Sequence, residues 1–203
     1  LLMIIALLAC NTALAETELQ LFFGNDGEVE ADTVEFSQPG QDKEKEKLDD
    51  ADIDSSIALA VAFTFGKEEG FQMGPRIGFS KSEFEVDSDL DAEIMLGDAG
   101  LWLRNYMRIK DGFGGFIGAG GGLSYAKIEV DDDKNKAPEV KGLGYHVVAG
   151  AGLETEMNEM ALTVGIYYMH HNIPELKGKK DGLKVEMEDA TKSQFMFGAG
   201  LRF

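Results

Sequence analysis

Gln194-Phe195-Met196-Phe197-Gly198-Ala199-Gly200-Leu201-Arg202-Phe203 reads as a strand with two unlike faces. Phe195, Phe197, Ala199, Leu201 and Phe203 share one face, and Gln194, Met196, Gly198, Gly200 and Arg202 the other. Alternation with period two is the signature of a β-strand. Working back from this stretch, the pattern recurs near 17–25, 55–66, 70–82, 93–109, 112–128, 141–157 and 160–173. Residues 55–66 carry it most cleanly, with Ile57, Leu59, Val61, Phe63 and Phe65 set against Ser56, Ala58, Ala60, Ala62 and Thr64. No amphipathic helix is legible after residue 15.

The second face decides what kind of barrel eight such strands make. A water-soluble barrel also alternates, but its outer face must be rich in charge. Here the second face is mostly Gly, Ala, Ser and Thr with isolated charges. Those residues suit the crowded interior of an eight-stranded barrel, so the apolar face is expected to point outward, toward lipid. Short connections (67–69, 110–112, 158–159) alternate with long ones (26–54, 83–92, 129–140, 174–190). That asymmetry fits short periplasmic turns and longer external loops, and an even strand count puts both termini on the periplasmic side. Pro75 alone interrupts a strand interior, which predicts a lost ladder bond or a bulge.

The first nine residues are uninterrupted apolar or alanine, too few for a spanning helix of about 20 residues. With Ala13-Leu14-Ala15 they read as an export signal over 1–15, truncated at its start, leaving a barrel domain over 16–203. Cys10, the single cysteine, sits in a stretch that also suits lipidation; either way no disulfide forms within the chain. The formal net charge of -18 excludes the clustered basic surface that nucleic-acid binding needs.

The strand number, turn asymmetry, export signal and terminal aromatic together resemble the small bacterial outer-membrane β-barrels of the OmpA-barrel, OmpX and opacity-protein type. The resemblance implies an all-β, eight-stranded, antiparallel up-and-down transmembrane barrel, monomeric and surrounded by outer-membrane lipid and lipopolysaccharide. It implies that Phe197, Leu201 and Phe203 form the signal read by the barrel-assembly machinery. It also implies no appended wall-binding domain, since the sequence stops at Phe203.

Three groups of residues could carry function. By parity Arg76, Arg104 and Arg202 point inward, with Asp98 and Glu154 as partners and Trp102, Phe116, Tyr167 and Met196 as bulk. Buried charges need partners, so the reading is a lumenal ion-pair network, against a narrow polar conduit left open by inner-face glycines. A tight turn at Asn158-Glu159 places His146 opposite His171, close enough to share a metal or to respond to pH; two imidazoles alone are fewer ligands than most zinc sites use.

The third group is external. Segment 26–54 carries twelve acidic and three basic residues, and 81–93 six acids and one lysine. Such runs are ordinarily solvated faces. Asp87, Asp89 and Asp91 alternate as in a calcium loop, but Ala92 stands where that motif has Gly and Asp98 where it has Glu. Segment 26–54 is expected to be partly disordered, with room for a short helix. Near the rim His170, His171 and Asn172, with Asp181 and Ser193, set no nucleophile beside a base at defined spacing. The expectation is a non-enzymatic barrel without cofactor, acting through acidic external loops on cell-surface ligands or divalent cations. The alternatives are a small pore for ions or solutes and a rim enzyme acting on lipid.

Overall fold

The computed structural model describes residues 15–37, 43–66, 69–87, 90–131, 138–158, 160–180 and 182–203. The chain is a closed antiparallel barrel of eight strands in sequence order. They are β1 (Ala15–Ser37), β2 (Glu44–Gly66), β3 (Gly70–Asp87), β4 (Leu90–Lys110), β5 (Phe113–Asp131), β6 (Val140–Met157), β7 (Met160–Lys180) and β8 (Leu183–Arg202). β1 pairs with β8 to close the wall, for example Leu21 with Ala199 and Phe23 with Phe197. The segment expected to be an export signal, with Cys10, lies outside the described residues apart from Ala15.

One end of the barrel carries the short turns, together with Ala15 and Phe203; it is called here the turn end. Gly112 (φ 69°) and Asn158 (φ 59°) make the left-handed bends in two of those turns. Above them a broad band of the outer wall is apolar and exposed: Leu21, Phe71, Ile117, Leu143, Ile166 and Phe197 all face away from the axis, Phe71 at 74% and Phe197 at 69% exposure. Water does not tolerate a continuous apolar belt of that kind, whereas hydrocarbon does. The wall is that of a membrane-spanning barrel.

The strands run well past this belt, and here the structure departs from the sequence reading. Three of the four long connections, 26–54, 83–92 and 174–190, are mostly strand in their described residues: β1 continues to Ser37 and β2 starts at Glu44, so neither extensive disorder nor a helix occupies the described part of 26–54. Taking β1 from Asp26 to Ser37, the sheet extends roughly 30 Å beyond the belt along the barrel axis. In this extension the polarity of the wall inverts. Val29, Ile53, Phe84, Leu96, Ile128 and Leu176 point inward into one apolar cluster, while Glu28, Glu30, Asp52, Glu83 and Lys177 face out. The extension is folded as a water-soluble barrel on top of a lipid-soluble one.

Two devices produce the inversion. In β1, β2, β7 and β8 the phase of the chain shifts. The register slips between Phe23 and Asp26 against β8, and between Ile53 and Ser55 against β3. Pro174-Glu175 in β7 and Glu188-Asp189 in β8 are each two consecutive exposed residues, with Asp189 at φ 49°. A one-residue slip sends every later side chain to the other face. In β3 to β6 the phase is kept and the residues change instead: in β3 the outward series passes from Ile77 and Phe79 to Lys81 and Glu83, the inward one from Gly78 and Ser80 to Phe84.

Pro75 causes no bulge. Ala62 pairs with Arg76 and Phe65 with Met73 in one register, and only the ladder between them is interrupted. The neighbouring Gly74 admits the Phe63 carbonyl so closely that a Cβ there would overlap it.

Candidate functional site

Within the belt the lumen is filled by layers. Nearest the turn end, the inner faces of β1, β4, β6 and β8 bring together Glu18, Arg104, Glu154 and Arg202. Arg104 donates to Glu154 at 2.6 Å and to Glu18 at 3.3 Å. Arg202 pairs with both Glu154 and Glu16. Gln20 donates to Glu18 at 2.8 Å, and Thr163 donates to the same carboxylate at 3.4 Å. Arg104 is 1% exposed and Glu18 0%. In such surroundings a charge survives only through partners of this kind.

An aromatic layer lies next along the axis. Phe22 meets Tyr167 edge-on with centroids 4.8 Å apart. Trp102 and Phe116 each lie 6.3 Å from Tyr167, and Arg104 caps the Phe116 ring at 4.9 Å. The inner-face glycines make room for these rings: a Cβ at Gly118 would overlap Trp102, and one at Gly150 would overlap Tyr167. They relieve crowding; they do not hold open a conduit at those positions.

A second polar layer follows, centred on Asp98. Ser124 donates to Asp98 Oδ1 at 2.5 Å, and His171 Nε2 approaches Oδ2 at 3.1 Å. His146 Nδ1 sits 3.2 Å from Ser124 and 3.6 Å from Asp98. His146 and His171 are register partners, as the turn at Asn158 implies, with ring centroids 5.8 Å apart. Lys192 Nζ donates to Ser82 at 2.5 Å. Arg76 packs over Phe22 at 5.6 Å. The apolar cluster of the extension closes the lumen above this layer.

The five residues expected to form one ion-pair network therefore occupy two layers. Arg104, Glu154 and Arg202 are joined; Asp98 belongs with the histidines, and Arg76 forms no ion pair among the described residues. The reason is axial distance, since parity gives the face and not the height. Glu18 and Glu16 were missed, although Glu18 shares its inward parity with Gln20 and Phe22. Among the described residues no group of three or more His, Cys, Asp or Glu side chains is placed to hold a metal ion.

No family model matches the chain, and no curated protein matches it. Among solved structures it is similar to Neisserial surface protein A, at 10% identity over 93% of this chain and 95% of that one, with a TM-score of 0.46. It is also similar to the outer membrane protein OprG of Pseudomonas aeruginosa, at 16% identity over 92% and 96% of the two chains with a TM-score of 0.44. For the outer membrane protease OmpT of Escherichia coli the figures are 9% identity, 95% and 97% coverage and a TM-score of 0.49.

At the rim of the belt His170 points outward and its Nδ1 lies 2.8 Å from Ser193 Oγ. His171 points inward to Asp98, so the two adjacent histidines do not share a site. Asp181 lies outside the described residues, as do Asp89 and the side chains of Asp87 and Asp91. Phe197, Leu201 and Phe203 all face out on the last strand.

The outer wall of the extension is a lattice of ion pairs. Glu139 accepts from Lys141 at 2.6 Å and from Lys127 at 3.1 Å; Glu186 accepts from Lys184 at 2.6 Å. The hydrogen bond from Lys141 holds Glu139 below the usual carboxylate range, and Lys184 does the same for Glu186. Reciprocally, Glu139 raises Lys141, and Glu129 with Glu139 raises Lys127.

Proposed function

We propose that the chain is a non-enzymatic barrel of the bacterial outer membrane, with its termini in the periplasm and its extension projecting from the cell to present the strand tips to external ligands. The observation that carries this reading is the layered filling of the lumen. Two polar layers, an aromatic layer and the apolar cluster of the extension occupy the axis, so the interior serves rigidity. A rigid stalk of about 30 Å whose outer wall is charged suits display beyond the lipid surface. The acidic residues Glu28, Glu30, Asp32, Asp52 and Asp54 on the exposed side of β1 and β2 favour partners that are cationic or bridged by divalent ions.

The belt is expected to contact lipid and lipopolysaccharide as a monomer, and the outward Phe197, Leu201 and Phe203 to be read by the barrel-assembly machinery. Shortening the tips between β1 and β2, and between β7 and β8, tests the display role. Loss of cell-surface or ligand attachment with the barrel still inserted supports it. Unchanged attachment of cells that carry the shortened barrel refutes it.

A further inference from the structure

The level at which the outer wall changes from apolar to charged is not the same all round. On β3, β5 and β6 the first outward charge beyond the belt is a lysine: Lys81 follows Phe79, Lys127 follows Tyr125, and Lys141 precedes Leu143. The glutamates of the same strands, Glu83, Glu129 and Glu139, lie two residues farther from the belt. On β1 and β2 the corresponding outward charges are acidic, Glu28 and Asp54. On β4, between β3 and β5, Met95 stands level with Lys81 and Lys127, and the first outward charge, Glu93, falls in the glutamate row. The membrane boundary thus carries lysines on β3, β5 and β6 and acids on β1 and β2.

The cationic side is ordered most fully on β5 and β6. Lys127 stands directly opposite Lys141, Tyr125 opposite Leu143, and Leu123 opposite Tyr145. Three successive rows therefore run charge, then hydroxyl with hydrocarbon, then hydrocarbon with hydroxyl, toward the middle of the belt. Leu123 is 72% and Leu143 73% exposed. Like charges facing each other across strands destabilise a sheet. Here Glu139, from the water side, is shared between them, and Lys127 also pairs with Glu129. Exposed pairs of that kind contribute little, so an anion arriving from the membrane side can compete for both ammonium groups.

We propose that Lys127 and Lys141 bind a phosphate of an outer-leaflet glycolipid of the lipid A class, with the phenol of Tyr125 at its sugar and Leu123 and Leu143 against its acyl chains. The order of chemistry along β5 and β6 is that of the lipid along its own length. Hydrogen bonds donated to Glu129 and Glu139 raise Lys127, and the one donated to Glu139 raises Lys141, so both lysines are charged at neutral pH. The phosphate displaces Glu139 from both ammonium groups and competes with Glu129 for Lys127, and no covalent bond is made or broken. The inference rests on the outer-membrane placement proposed above.

The test is lipid retention by the whole chain in nanodiscs of phosphatidylcholine containing lipid A, with bound lipid A counted by native mass spectrometry. Each lysine near a membrane surface strengthens anionic lipid binding roughly fivefold, so Lys127→Gln with Lys141→Gln is expected to weaken retention about 25-fold. Lys127→Arg with Lys141→Arg retains it, which separates loss of charge from loss of fold. Lys179→Gln with Lys184→Gln, far from the belt, leaves it unchanged. Equal retention by the Gln pair and the intact chain overturns the proposal, as does equal loss in the distant pair. Displacement of lipid A by millimolar inorganic phosphate alone also overturns it, because the site would then read free phosphate. A chain that never enters the nanodisc refutes the membrane placement instead, and that readout is separate.

Discussion

Arg104 and Glu154 meet at 2.6 Å in a part of the lumen that solvent barely reaches. Glu18 holds the other side of the same guanidinium. Arg104→Met would leave two buried carboxylates facing each other, and is expected to destabilise the barrel by about 3–5 kcal/mol. Glu154→Gln should cost less, because Arg104 keeps Glu18 and Arg202 keeps Glu16. Urea unfolding in lipid vesicles reads both; equal midpoints for the two variants would contradict the arrangement.

The close fit of glycine and ring gives a second expectation. Gly150→Ala forces a methyl group into Tyr167 and should destabilise by about 1–3 kcal/mol. Adding Tyr167→Ala should remove that strain while costing its own packing energy. Purely additive effects of the two substitutions in thermal unfolding would count against the clash.

Layered filling also fixes the electrical behaviour. The intact barrel should show no steady unitary conductance in a planar bilayer. Trp102→Ala with Tyr167→Ala should remain closed, because the apolar cluster of the extension still blocks the axis. Stable channels from the intact protein would show that the layers open.

Leu96→Ala strikes the extension alone. Leu96 is fully buried in the far apolar cluster, so its truncation should cost about 2–5 kcal/mol. The loss should be local: protease applied to vesicles should cleave the strand tips while the belt stays protected. Protection of the whole chain would mean that the extension does not depend on this core.

The outer ion-pair lattice predicts a pH window. Glu139 and Glu186 are held below their ordinary value of 4.5 by Lys141 and Lys184, so their contribution is complete above that value and fades as pH falls through the lowered ones. Lys127 and Lys141 are raised above 10.5, so theirs is complete below that value and fades as pH rises through the raised ones. Hydrogen exchange in the outer parts of β5 to β8, corrected for intrinsic rates, should quicken toward both extremes and be slowest between them. A flat profile from pH 3 to 7 would remove the carboxylate half of this account.

Alternation in eight segments, cleanest at 194–203 and 55–66, makes the strand count and the inward parity legible, because in the belt each face has one kind of chemistry. The same reading failed at 26–54. Glu28-Val29-Glu30-Ala31-Asp32 alternates as strictly as any belt strand, but its acidic half is the conspicuous one and its apolar half is small. The density of charge there is the outer face of a strand and not the mark of a loop. The opposition of His146 and His171 followed from a two-residue turn, since register propagates from a turn. The partition of the ion pairs did not, because side-chain reach along the axis is a property of the packed lumen. Glu18 was legible by parity and overlooked.

The inversion of the wall between Phe23 and Asp26 has a mechanical meaning. Sliding the molecule inward would drag carboxylates into oil, and sliding it outward would lift phenylalanines into water. Either displacement is resisted from the first few ångströms, so the chain carries its own depth mark, and whatever its tips touch is met at a fixed height above the membrane.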